Sequence, residues 1–179
     1  MLVAPPAGGQ SLSEEELDAY FLLLIVAGNE TTRFLLAGGL EQLLLAPSSL
    51  AALRADPSRV PGAVEEMIRW VTPVIHMRRT LARDAEVFGL EAPAGSKFVL
   101  YFSAANRDPA MFEEPQSFRI DRHPNRHLGF GAGHHFCLGA YLARMETQIF
   151  FEEFLARVPH CELRGEGERS GEAPAADEQ

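Results

Sequence analysis

Cysteine is scarce in this 179-residue chain, which holds only Cys137 and Cys161. Two thiols cannot build a disulfide scaffold, and they suit a reducing compartment. Positive charge is also in short supply. Lys plus Arg number 16 against 25 Asp plus Glu, a formal net charge of −9. That balance excludes a fold-wide basic surface for nucleic acid. No uninterrupted run of about 18 apolar residues occurs, so no membrane span is expected. The opening MLVAPPAGGQ has neither a basic start nor an apolar signal core. The expectation is a cytoplasmic protein with neither nucleic acid nor membrane as partner. At 46% hydrophobic and 23% charged, the composition suits one sizeable core or a large part of one.

Acid collects at the end of the chain. Glu162, Glu166, Glu168, Glu172, Asp177 and Glu178 face only Arg164 and Arg169, with Leu163 the one large apolar side chain. Residues 162–179 are therefore predicted as a solvated, disordered tail, residues 1–10 as a second loose segment, and 11–161 as the folded part. The patterning predicts a mainly α fold with a small β-sheet. Ser13 and Glu16 have the spacing of a capping box, and Leu17, Tyr20, Phe21 and Leu24 follow at helical intervals. That helix is expected to reach Leu45 and to be buried on most sides, because FLLLIVAG leaves it apolar all round. Shorter helices are predicted over Pro47–Arg54, Pro61–Trp70 and from just after Cys137 to Val158. Strands are predicted at Val74–Thr80, Glu86–Phe88 and Lys97–Phe102. The loop-rich stretch from Ser103 to Gly139 is too long for a compact domain unless it wraps around something, which hints at a large cofactor.

The densest chemistry is Phe130-Gly131-Ala132-Gly133-His134-His135-Phe136-Cys137-Leu138-Gly139. Three glycines in ten residues make a loop that permits close approach, and it runs into a helix. Open N–H groups and the positive dipole end there favour a thiolate, a soft metal ligand or a nucleophile. Glu66 and Arg69, three apart on a predicted helix, share one face. Gly28 and Thr31 break the apolar first helix, and Thr31 can bond a carbonyl one turn back. With Ala27 they place small residues and a hydroxyl on one face.

These three segments together resemble the cytochrome P450 haem-thiolate monooxygenases in their bacterial soluble form. FGAGHHFCLG is similar to the family's haem-binding loop. The resemblance implies that Cys137 is the axial ligand of haem iron, with Phe130, Gly131, Gly133, His135 and Gly139 as cofactor-binding neighbours. Thiolate ligation pushes electron density to the iron and favours O–O cleavage. The Glu66-x-x-Arg69 pair matches a buried structural pair of the family, and Arg122 matches its third, downstream member. Glu30 and Thr31 match the acid–alcohol pair that delivers protons to dioxygen. Arg79 matches a propionate-binding arginine. Ala27, Gly28, Val74, Ile75 and Met77 would line the substrate pocket, with an apolar substrate of the sterol, terpene or fatty acyl class.

The implied cofactor is haem b, and the implied activity is insertion of one oxygen atom of O2. Electrons would come from NAD(P)H through a separate ferredoxin and ferredoxin reductase, because no flavin or dinucleotide motif is present. The match covers Ser11 to Cys161, the C-terminal half of a complete family member, so a truncated form is expected. Such a half would leave an apolar face of the first helix open. Three alternatives remain at this level. One is a remnant of the family that binds no haem. Another is a zinc module using His123, His127, His135 and Cys137. The last is a Cys137–His135 hydrolase.

Overall fold

A computed structural model describes residues 11–164. The expected loose segment 1–10, and the tail beyond residue 164, lie outside the described residues. The fold is mainly α with small β-ribbons. Helices α1 (Glu14–Leu45), α2 (Pro47–Ala55) and α3 (Val60–Val71) come first. Strands β1 (His76–Thr80), β2 (Ala85–Val87), β3 (Leu90–Ala92) and β4 (Lys97–Tyr101) follow, then a short α4 (Phe102–Ala105) and the long α5 (Ala140–Arg157). Two antiparallel ribbons form rather than one sheet. β1 pairs with β4 from His76↔Tyr101 to Thr80↔Lys97, and β2 pairs with β3. β3, which pairs back on β2 across the Phe88–Gly89 turn, is absent from the expected set.

The capping box closes as expected. The Glu16 N–H donates to Ser13 Oγ, and the Ser13 N–H donates to a Glu16 carboxylate oxygen at 2.9 Å. The core lies where the end of α1 meets α3 and α5. Leu35, Leu43, Leu53, Val60, Ala63, Val64, Met67, Ile68, Ile120 and Phe151 are its buried members. Gly39 permits this crossing, since a Cβ there would sit 2.9 Å from Met67 Sδ and 3.2 Å from the Phe151 ring. After α5 the chain is tied to α2 by Arg54, which donates to the carbonyls of Pro159 and Val158.

The expectation of a first helix buried on most sides is corrected. Leu35, Gly39 and Leu43 are its buried residues, while Leu22, Leu23, Ile25 and Val26 are exposed. None of its residues 14–34 is buried. The open apolar face expected of a partial domain is therefore present. On α5, Tyr141, Leu142 and Ile149 are exposed as well. By length and composition α1 is also long and apolar enough to cross a membrane. Buried core helices pass the same test, and the packing of Leu35, Gly39 and Leu43 gives α1 that character at its C-terminal end.

Candidate functional site: a cysteine loop on a buried ionic knot

The last turns of α3 place Glu66 and Arg69 inside the molecule, both with no exposed surface. Arg69 Nε and Nη2 donate to the two Glu66 oxygens at 2.8 and 2.7 Å. Arg122, also buried, donates from Nε to Glu66 at 3.0 Å. The Arg119 N–H and Asn125 Nδ2 complete a set of donors around one carboxylate. The structure thus brings Glu66, Arg69 and Arg122 together.

The remaining guanidinium N–H groups go to backbone. Arg69 reaches the carbonyls of Asn106, Pro115 and Ser117. Arg122 reaches those of Glu113, Glu114 and Ser117. This explains how a long irregular stretch holds one shape: its carbonyls converge on two buried cations. A buried charge is tolerated only when so fully bonded.

The knot extends to the cysteine loop through residues that the sequence reading did not single out. Asn106 is fully buried. Its Oδ1 accepts from the Leu128 N–H at 2.7 Å, and its Nδ2 donates to Thr72 Oγ1 at 2.9 Å. Thr72 caps α3 at φ 44°, a left-handed setting that is costly for a β-branched residue. Its hydroxyl also donates to the Arg69 carbonyl at 2.7 Å. The signal for Asn106 lay in the phrase Asn106-Arg107-Asp108-Pro109, but turn composition does not say that a side chain points inward.

Within the loop, Gly131 and Gly133 adopt φ 70° and 66°, where a side chain would be strained. The Cys137 N–H donates to the Phe130 carbonyl at 2.9 Å, and the Phe136 N–H to that of Gly133 at 3.0 Å. The Ala140 N–H then bonds the Cys137 carbonyl at 3.3 Å as α5 begins, with Gly139 as its N-cap residue. Cys137 is exposed, as are Phe136 and Leu138 beside it. A Cβ on Gly133 would meet nothing within 4 Å, and one on Gly139 would stand 4.0 Å from Cys137 Sγ.

A second ionic cluster binds the loop from its other side. Glu65 on α3 takes Arg144 Nε at 2.6 Å and Nη2 at 2.9 Å, and contacts His127 Nε2 at 3.0 Å. Burial by itself raises the Glu65 carboxyl, but the hydrogen bonds from His127 and Arg144 and the charge on Arg144 outweigh it and lower the pKa to about 2. A folded-state value below the ordinary 4.5 stabilises the fold above that pH, and the gain disappears as pH falls from 4.5 towards 2. Equilibrium unfolding of the chain and of Glu65→Gln across this window checks it. The stability difference should be constant above pH 5, within about half a unit of the ordinary carboxyl value, and shrink steadily below 4.5.

The other expected residues are placed separately. Thr31 Oγ1 donates to the Ala27 carbonyl at 2.6 Å, one turn back. Glu30 is exposed and pairs with Arg33 at 2.6 Å. The open hollow beside this turn is lined by Gly28, Asn29 and Thr32 of α1 with Glu146 and Phe150 of α5; Ala27 and Thr31 do not line it. No hydrogen bond joins Glu30 or Thr31 to the cysteine loop. Arg79, on β1, bonds only the Arg78 carbonyl and has no acidic partner among the described residues. Val74, before β1, is half-buried, while Ile75 just before the strand and Met77 on it are exposed.

The zinc alternative finds no ligand set. No group of three metal-binding side chains exists among the described residues. His127 is engaged at both ring nitrogens, by Glu65 and by the Gly129 N–H. The hydrolase alternative lacks its hydrogen bond, because His135 makes none to Cys137 among the described residues.

Comparison with known proteins settles the family. Residues 5–164 match the cytochrome P450 family. The chain belongs to the cytochrome P450 family. It is 47% identical over 163 residues to a steroid C26-monooxygenase of Mycobacterium tuberculosis (strain CDC 1551 / Oshkosh), covering 91% of this chain and 44% of that protein. It is 44% identical over 160 residues to a methyl-branched lipid omega-hydroxylase of Mycobacterium bovis, covering 88% of this chain and 37% of that one. The crystal structure of CYP109E1 from Bacillus megaterium in complex with corticosterone aligns with a TM-score of 0.86 at 36% identity, over 91% of this chain and 44% of that one. The P450 chain described here thus spans less than half the length of the curated relatives it matches.

Proposed function

We propose that this chain forms the thiolate-bearing part of a haem monooxygenase. Cys137 is the axial ligand, and the observation that carries the reading is its exposed thiol on a loop ordered by Gly131 and Gly133. The residues present suit haem b. Apolar Phe136 and Leu138 flank the thiol, and open space lies above Gly133. The Leu138 and Gly139 N–H groups have no partner among the described residues and are free to bond a thiolate. Arg79, without an acidic partner among the described residues, and the exposed His135 are suited to the haem carboxylates. Bound haem would supply the activation of O2, one atom entering an apolar C–H bond and the other leaving as water. Electrons would come from NAD(P)H through ferredoxin and its reductase in the cytoplasm.

The chain's own residues then have these tasks. Phe130 covers the sulfur side and receives the Cys137 N–H on its carbonyl. Thr31 spends its proton on the Ala27 carbonyl, which leaves its oxygen free to accept a hydrogen bond and hold a water. Glu30, exposed beside Arg33, is the acid–base group that exchanges protons with solvent. Glu66, Arg69 and Arg122 hold the loop in place. Ala27, Gly28, Val74, Ile75 and Met77 face the substrate, for which a steroid or branched lipid is favoured by the names of the two relatives.

The open apolar faces of α1 and α5 favour a second reading, in which the chain is a remnant that takes up no haem. Hemin titration separates the two. The chain, and a chimera carrying the preceding part of a P450 relative, are reduced under carbon monoxide. The difference band of thiolate-ligated haem in the chimera supports the first reading; colourless protein in both supports the second.

A further inference from the structure

The Glu65 cluster has no part in the reading above, yet it touches the loop at Phe130, whose carbonyl accepts the Cys137 N–H. Arg144 links two elements by ion-pairing with Glu65 of α3 from its place on α5. Its guanidinium carbon also lies 4.5 Å from the centroid of the Phe130 ring, a cation–π geometry. His127 reaches Glu65 from the loop itself, with its side chain only 3% exposed. Its Nδ1 accepts from the Gly129 N–H at 3.2 Å, so the ring carries its proton on Nε2, facing Glu65. Gly129 is pressed on α3, where a Cβ would stand 2.5 Å from Ile68 Cγ2. The segment 127–130 is thus fastened to α3 at His127 and to α5 at Phe130, and one carboxylate joins the two fastenings.

Phe130 carries this outward to the sulfur. Its carbonyl accepts the Cys137 N–H at 2.9 Å, and its ring meets that of Phe136 at 6.3 Å between centroids. We propose that Glu65, His127 and Arg144 are positioning residues that clamp Phe130 between α3 and α5 and thereby fix where Cys137 stands. The clamp is separate from the Glu66 knot. The knot pulls on Leu128 through Asn106, whereas the clamp holds Phe130 through its ring. The proposal rests on Cys137 being the functional residue, but its test needs no haem, so the two can fail independently.

The test is amide hydrogen exchange on the 179-residue chain, comparing the parent with Arg144→Met, Arg144→Lys and Glu65→Gln. In Arg144→Met the amides of Gly129, Gly131 and Cys137 should exchange about tenfold faster, the size expected from losing one ion pair and one cation–π contact. The Met67 and Ile68 amides, deep in α3, should stay within about twofold. Arg144→Lys keeps a charge for Glu65 but loses the flat guanidinium over the ring. It should fold if the methionine variant does not, with loop exchange still raised. The alkylation rate of Cys137 relative to Cys161 should rise in parallel. An even rise in exchange across α3, α5 and the loop would overturn the proposal, since the cluster would then be a general stabiliser. So would unchanged protection of the Cys137 amide.

Discussion

Glu66→Ala should abolish cooperative folding of residues 11–164. The carboxylate is fully buried and takes hydrogen bonds from Arg69, Arg122, Arg119 and Asn125. Its removal leaves Arg69, with no exposed surface, carrying an uncompensated charge. Breaking a buried pair from one side costs about 3–5 kcal/mol, a large share of the roughly 5–15 kcal/mol that stabilises a whole domain. Glu66→Gln keeps the shape and two acceptor lone pairs but loses the charge, and it turns an acceptor into a donor aimed at guanidinium groups. It should therefore recover little. Urea unfolding followed by circular dichroism reads the effect. Exposed pairs provide the contrast: Arg33→Ala, which breaks the pair to Glu30, should change stability by less than about 1 kcal/mol. Equal losses at Glu66 and Arg33 would mean that burial does not set the energetics here.

How much of this arrangement could be read from residues alone depends on the distance over which each feature is decided. The capping box at Ser13 is settled within three positions, and the glycine turns at Gly131 and Gly133 by their own backbone angles. Glu66 and Arg69 lie on one helical turn, so their pairing was legible, and Arg122 was placed only by the family resemblance. The Glu65–Arg144 pair joins residues 79 positions apart, and no local pattern announces it. Asn106 looked like a turn residue, yet its buried amide links the ionic knot to Leu128. The long irregular stretch suggested a cofactor to wrap around. Within it the carbonyls of Asn106, Glu113, Glu114, Pro115 and Ser117 converge on the guanidinium groups of Arg69 and Arg122. The burial of α1 was misjudged for a related reason: an apolar surface in sequence states a demand for cover, not that the cover is present.

Cys137→Ser should remove the thiolate-type carbon-monoxide spectrum completely while leaving the fold intact. The fold is spared because Cys137 is exposed and contributes its backbone, not its side chain, to the loop's hydrogen bonds. Exposed substitutions away from such contacts usually fall within about 0.5 kcal/mol. The spectrum is lost because a serine hydroxyl stays protonated at neutral pH and is a hard oxygen donor, whereas the proposed bond needs a soft, electron-releasing sulfur. Cys161→Ser, at a half-buried position after α5, is the matched control and should keep the spectrum unchanged. The two measurements separate ligand chemistry from stability: melting curves of all three proteins should superimpose while one of them loses its band. A thiolate band that survives in Cys137→Ser would exclude Cys137 as the ligand. One that disappears only together with the melting transition would show the loop's integrity, not the sulfur, to be what the substitution removed.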